Sequence, residues 1–260
     1  MRVIVCIKQV PNTTDVRIDP KTNTLIREGV ESVINPFDMY AIEEGVRLKE
    51  RFGGKVTAVT MGPPQAESAL REAISLGCDE AILVSDRKFA GSDTWATSYT
   101  LAMALRKIGG YDLVLCGKQA SDGDTAQVGP GIAAHLDLPQ VTFVKKIEEI
   151  ADKKAKLERM TEEGFDIVET QLPAVVTVVK EINTPRLPSL RGKMRSKSAL
   201  IVKWSAEDIG CNPQKIGLEG SPTRVVRVFS PEPRKGGQIM TGPAQEVAAK
   251  LAESLKDIVI

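Results

Sequence analysis

The stretch GKQASDGDTAQVGPG, residues 117–131, carries the residue types best suited to holding an anion. It follows the apolar run YDLVLC and precedes IAAHLDLP, which reads as helix until Pro139. A glycine-rich loop between strand and helix gathers free backbone N–H groups at the positive end of the helix dipole, a natural seat for phosphate. Asp124, Thr125, Ala126 and Gln127 have capping-box spacing, with Asp124 expected at the N-cap and Gln127 at N3. Gly123 and Gly129 permit close backbone approach or a positive φ. Asp122 would repel a phosphate directly, so its expected part is to order the loop or to face a ribose hydroxyl. The same residues would also make an ordinary tight turn closed by a cap. Four glycines and a proline in one connection favour a ligand loop.

Other chemistries find little support. The single histidine, His135, falls inside the helix after the loop, so a Ser/His/Asp or Cys/His nucleophile system would hang on one residue. Metal ligation by Cys and His clusters fails for the same reason. The four cysteines, Cys6, Cys78, Cys116 and Cys211, have no CxxC spacing, and the first three sit in or beside apolar runs, which predicts reduced thiols and a cytoplasmic protein. With 35 basic against 34 acidic residues, no electrostatic footprint for nucleic acid exists. No apolar segment approaches the ~20 residues of a membrane helix, and the N-terminus is unlike a signal peptide. KQVPN, rather than GxGxxG, follows the first strand, and GxxxxGK[ST] is absent.

The elements that must position the loop alternate. RVIVCIK, KVTAVTMG, EAILVSD and YDLVLCG read as strands; NPFDMYAIEEGVRLKERFGG, PPQAESALREAISLGCD and DTWATSYTLAMALRKIGG read as helices between them. This order predicts an α/β fold, a mostly parallel twisted sheet with helices on both faces in a flavodoxin-like layering. Ligands of such sheets sit beyond the carboxyl ends of the strands, where KQVPN, TMGPP and the opening loop converge. DVRIDPKTNTLIREG interrupts the alternation, and its centre, Asp19 to Asn23, reads as a surface hairpin. From about residue 145 to 180 charged strands with short turns predict a small antiparallel extension. Residues 1–210 are expected to form the nucleotide-binding domain, and 211–260 a C-terminal arm ending in the helix AQEVAAKLAESLKDIV.

Several long motifs carry a resemblance: VCIKQVP, INPFDMYAIEEGVRLKE, TMGPPQAESALREAISLGCDEAILVSD, LVLCGKQASDGDTAQVGPGIAAHLDLPQVT and PRLPSLRGKMRSKS. Together they resemble the small, beta subunit of the electron transfer flavoproteins over nearly the whole chain. The resemblance implies a heterodimer with a larger alpha subunit that carries a mobile FAD and on which the C-terminal arm packs, while the beta subunit binds its own adenine nucleotide. It places that nucleotide at the positions of Cys6, Asn35, Met61, Gly62, Gly117, Asp122, Gly123, Asp124, Thr125, Ala126, Gln127 and Val128. In one-flavin members the nucleotide is AMP and the loop resembles DDDCNQTG. Here SDGDTAQVG has glycine, alanine and valine at Gly123, Ala126 and Val128, which leaves a smaller loop with fewer side-chain donors.

That departure is similar to the flavin-bifurcating type, in which a second FAD replaces AMP. The resemblance then implies NADH as electron donor, ferredoxin or flavodoxin as low-potential acceptor, and an acyl-CoA dehydrogenase or lactate dehydrogenase as the other. Lys8, beside Gln9 and Val10, becomes a candidate for tuning the flavin, although an end-of-strand lysine in solvent fits the sequence equally. PRLPSLRGKMRSKS, about residues 183–198, resembles the family's partner-recognition loop, with Leu190 in the place of its anchoring leucine and Arg191, Lys193, Met194, Arg195 and Lys197 around it. Arg195 stands where some relatives have a methylatable lysine, so that modification does not carry over. A synthetase-like ligase on a similar sheet would need an SGGxDS-like loop after the first strand, which KQVPNTT is not.

Overall fold

The computed structural model describes residues 1–12, 32–226, 236–237 and 239–256. The chain divides into two compact units, Met1–Val226 and Arg227–Ile260. In the first unit the chain runs β1 (Arg2–Cys6), β2 (Gln9–Pro11), β3 (Ser32–Ile34), α1 (Pro36–Phe52), β4 (Lys55–Met61), α2 (Glu67–Leu76), β5 (Glu80–Val84), α3 (Thr94–Ile108) and β6 (Leu113–Gly117). There follow α4 (Val128–Leu136), β7 (Gln140–Ala151), β8 (Lys154–Met160), β9 (Phe165–Gln171), β10 (Ala174–Val178), α5 (Leu190–Ser198) and β11 (Ile201–Trp204). The second unit holds α6 (Ala244–Leu255), on which Leu251 and Leu255 are exposed.

The described residues form one nine-stranded sheet in the order β11-β5-β4-β1-β6-β10-β7-β8-β9 and a small antiparallel pair, β2 with β3. Pairing is parallel from β11 through β7 and antiparallel from β7 to β9, so the α/β architecture read from the alternation of elements is present. The hairpin expected at Asp19 to Asn23 lies outside the described residues. β10 closes the stretch expected to be antiparallel, yet it inserts in parallel between β6 and β7. Its sequence AVVTV explains why: all five residues are buried, and a strand covered on both faces reads as an unbroken apolar run. Residues 211–226 pack within the first unit, where Ile216 is buried and Ser221 accepts a hydrogen bond from the Asp93 N–H at 2.8 Å.

Strand alternation sorts the core into two layers. Val3, Val5 and Ile7 of β1 and its extension, with Leu113 and Leu115 of β6, face α1 and α2; Ile4, Cys6, Val114 and Cys116 face α3 and α4. Helix ends follow local chemistry. Pro36 opens α1 at a position where its missing N–H is no loss, and Asp93 caps α3 by accepting from the N–H groups of Trp95 and Ala96 at 2.9 and 3.0 Å. α4 does not run on to Pro139. It ends at Leu136, with Asp137 in the left-handed conformation (φ 55°) closing the turn.

Two glycines bring α4 close to its neighbours. A Cβ on Gly129 would lie 2.5 Å from Thr177 Cγ2 of β10, and one on Gly131 would lie 2.5 Å from Ser98 Oγ of α3. Alanine inside a helix gains about 1 kcal/mol over glycine from propensity. Overpacking at such contacts costs ~1–3 kcal/mol. Gly129→Ala and Gly131→Ala are each expected to lower the urea midpoint with an unchanged m-value; a midpoint raised in both variants would contradict this packing.

Candidate functional site

The crossover β1 to β4 moves to one side of β1, and the chain later returns to its other side at β6. This reversal opens a crevice beyond the carboxyl ends of the strands. A cleft of about 1690 Å³ occupies it. It gathers Cys6, Lys8, Asn35, Met61, Gly62, Gly117, Asp122, Gly123, Thr125, Ala126, Gln127 and Val128, with Thr223 and Val225 contributing a further wall. Asp124, alone among the expected cleft residues, is outside its lining, and its carboxylate accepts a hydrogen bond from the Gln119 side-chain amide.

The floor is built on the first turn of α1. The Asn35 amide side chain donates to Gln119 O at 2.8 Å, and its carbonyl oxygen accepts from the Ser121 N–H at 3.0 Å, which fixes the start of the ligand loop. Asp38, 5% exposed, accepts from the N–H of Lys8 at 2.7 Å and from that of Gly117 at 3.1 Å. Only glycine permits this approach at 117, because a Cβ there would lie 2.4 Å from Asp38 Oδ1. Sequence reasoning missed Asp38. An acidic residue in the first turn of a helix is ordinary, and nothing in the string shows that this one is buried between two strand ends. Lys8 is exposed, and its ammonium pairs with Asp122 at 2.6 Å, tying the end of β1 to the loop.

The loop departs from a capping box. α4 begins at Val128, Gln127 occupies the N-cap position in the right-handed α conformation, and no side chain caps the helix. Asp124 is held in a turn by its N–H bond to Ala120 O at 2.8 Å, and Gln127 Oε1 accepts from Thr94 Oγ1 at 2.9 Å. Pro130 at N3 has no N–H for a capping side chain to satisfy. Positive φ falls on Asp124 (51°) and Ala126 (55°) rather than on Gly123 or Gly129. Left-handed residues alternating with ordinary ones turn successive N–H groups into a concave nest, which binds anions. The uncapped α4 terminus adds its own free N–H groups to the same place. The chemistry of this donor set fits a phosphate-bearing nucleotide.

His135 lies apart from the cleft, whereas Cys6 and Cys116 line it. His135 packs against Trp95 (ring centroids 4.4 Å) and Tyr99 (5.6 Å), and burial holds its pKa below the ordinary value. Cys6 and Cys116 are partners in the β1–β6 register; their hydrogen bond and burial push the Cys116 thiol well above its ordinary range, away from nucleophile chemistry. Among the described residues no cluster of three or more His, Cys, Asp or Glu could hold a metal ion, and no helix is long and apolar enough to cross a membrane.

Leu190, Arg191, Met194 and Arg195 are on α5, a helix where an irregular loop was expected; Ser189 caps it by accepting from the Gly192 N–H at 3.0 Å. Leu190 and Met194 are exposed, as is Leu187 just before them. Arg195 is exposed and also has a structural part. Its guanidinium donates to Ile74 O at 2.9 Å and to Cys78 O, capping the end of α2. Reciprocally, Arg71 of α2 donates to Ser196 O at 2.7 Å, capping the end of α5. Arg186 ties the approach to α5 onto α1, pairing with Glu43 at 2.7 Å and Glu50 at 2.6 Å.

Burial pushes the Asp38 carboxyl up to about 7, against hydrogen bonds from Lys8, Asn35 and Gly117 that favour its charged form. An unfolded aspartate releases its proton near pH ~3.9. The folded state therefore binds more protons than the unfolded state between these values, and stability from this group falls as pH rises toward 7, by at most ~1.4 kcal/mol per pH unit. Unfolding midpoints at pH 5, 6, 7 and 8 should show wild type losing stability relative to Asp38→Asn as pH rises to about 7; parallel profiles would contradict a carboxyl titrating there.

Residues 22–209 match the electron transfer flavoprotein domain. The chain is 51% identical over 256 residues to the electron transfer flavoprotein subunit beta of Thermoanaerobacterium thermosaccharolyticum, covering 98% of each. It is 51% identical over 259 residues to the caffeyl-CoA reductase-Etf complex subunit CarD of Acetobacterium woodii, covering 99% of this chain and 98% of the relative. Protein FixA of Bradyrhizobium diazoefficiens is 45% identical over 262 residues, covering 98% and 91%. The chain belongs to the electron transfer flavoprotein family, among its beta subunits.

Proposed function

We propose that this chain pairs with an electron transfer flavoprotein alpha subunit and holds FAD, rather than AMP, in the cleft. In this reading the heterodimer takes two electrons from NADH, passing one to ferredoxin or flavodoxin and the other to an acyl-CoA or lactate dehydrogenase. The observation that carries it is the loop of residues 122–128. Its nest of backbone N–H groups needs no side-chain donor, and Gly123 has open space around its Cβ position, with nothing within 4 Å. Backbone recognition leaves room for a pyrophosphate where bulkier side chains would crowd it. The cleft, at about 1690 Å³, exceeds the ~300–1,000 Å³ of ordinary small-ligand sites. CarD is named as part of a caffeyl-CoA reductase complex, which favours an acyl-CoA partner.

A bound flavin would supply the acceptance of an electron pair and its release one electron at a time. The chain's own part is to hold it. The amides around Ala126 and at the start of α4 take the phosphates; Asn35 fixes the loop. Asp38 keeps the ends of β1 and β6 in place beneath it. Leu190 and Met194 on a preformed α5 offer an apolar anchor with Arg191, Lys193 and Lys197 nearby, which suits a brief contact with a dehydrogenase. The exposed Leu251 and Leu255 of α6 are the surface offered to the alpha subunit.

Acid release of nucleotides from the co-purified heterodimer tests the reading: two FAD and no AMP per heterodimer are expected, and one FAD with one AMP would overturn it. Leu190→Ala should weaken docking to the dehydrogenase by about tenfold, as expected for an exposed anchor, with the nucleotide content unchanged. Docking at wild-type affinity would remove Leu190 from the contact.

A further inference from the structure

The cleft is poor in available positive charge. Asp38, Asp86, Asp93 and Asp122 line it, against Lys8, Arg87 and Lys118. Lys8 is neutralised by Asp122 at 2.6 Å, and Arg87 is exposed. Lys118 differs from both. It is half-buried, directly after β6, with its backbone fixed by an N–H bond to Val178 O at 2.9 Å. Among the described residues no carboxylate pairs with it. Its ammonium lies instead over two aromatic rings, 5.9 Å from the centroid of Phe37 and 5.5 Å from that of Phe143. Ring faces within about 6 Å attract a cation without cancelling its charge.

Phe143 adds an independent sign. It lies within β7 with φ at +59°, a conformation that a bulky residue avoids. It is held there by its N–H bond to Thr177 Oγ1 at 3.1 Å, where the β10–β7 register shifts. Backbone strain of this kind persists only where the surroundings enforce it, and it collects at ligand sites. Here the strained residue is one that turns a ring toward the lysine of the ligand loop.

We infer that Lys118 is the cation that takes the phosphate charge of the nucleotide, with Phe37 and Phe143 as the positioning residues that keep its ammonium unpaired and aimed. The inference rests on the reading of the cleft as a nucleotide site. It adds a side-chain contact to recognition otherwise made by backbone N–H groups. The charge lies opposite in sign to the ligand and away from a competing carboxylate, so the contact is strong when the ligand arrives.

The test uses the full chain with its co-purified partner subunit, stripped of nucleotide and titrated calorimetrically with AMP, ADP and FAD at several salt concentrations. Lys118→Met is expected to weaken binding by about tenfold to a hundredfold, the range for loss of a charge-assisted contact, and to flatten the dependence of affinity on salt. Lys118→Arg should recover most of the affinity and the wild-type salt slope. Phe143→Leu, which keeps bulk and removes the ring, should weaken binding by a few-fold with the salt slope retained. Wild-type affinity and slope in Lys118→Met would overturn the inference. If that variant does not fold, a salt-independent wild-type affinity would do the same. A wild-type protein that binds none of the three nucleotides would instead overturn the nucleotide reading beneath it.

Discussion

As β1 and β6 leave the sheet they present the N–H groups of Lys8 and Gly117, and the Asp38 carboxyl accepts from both. The lip of the cleft depends on this clamp, because the strand bearing Lys8 and the strand that launches the ligand loop are joined to the first turn of α1 rather than only to each other. Two contrary effects meet in it. Burial disfavours the charge, while N–H donors favour it, and the balance leaves a carboxyl near neutrality instead of an ordinary surface acid. Asn35, three residues before it, extends the same support to Gln119 and Ser121. One helix start thereby sets the position of the loop that follows the sheet's central strands.

The layering around that lip was legible in the string because it rests on short-range rules. Alternation in RVIVC and LVLCG assigns residues to faces, and the spacing of ALREAISL assigns a buried stripe on α2. Glycines and an Asn-Pro pair mark where the elements end and begin. The strand, loop and helix order around residues 117–131 was legible from composition and place. What failed was finer. Asp124 and Gln127 satisfy the spacing of a capping box, yet Asp124 is turned toward Gln119 and Gln127 toward Thr94 by residues distant in the chain or by a local turn. A spacing rule knows nothing of either partner.

Asp38, Lys118 and Phe143 were invisible for a related reason. Each looks ordinary in sequence: an acid in a first turn, a lysine after a strand, an aromatic in a strand. Their significance lies in what surrounds them, namely two backbone donors, two rings and a left-handed backbone. Arg195 is a further case. Its neighbours Arg191, Lys193 and Lys197 suggest one basic surface, and nothing in the string shows that its guanidinium also lies on the carbonyls at the end of α2.

The exchange of caps between α2 and α5 has a dynamic meaning. Each helix has a carbonyl near its end satisfied by an arginine of the other, so α5 cannot unwind at that end without removing a cap from α2. The nine-residue α5, too short to persist alone in water, borrows the permanence of a core helix. A molecule that meets Leu190 and Met194 meets a surface already ordered.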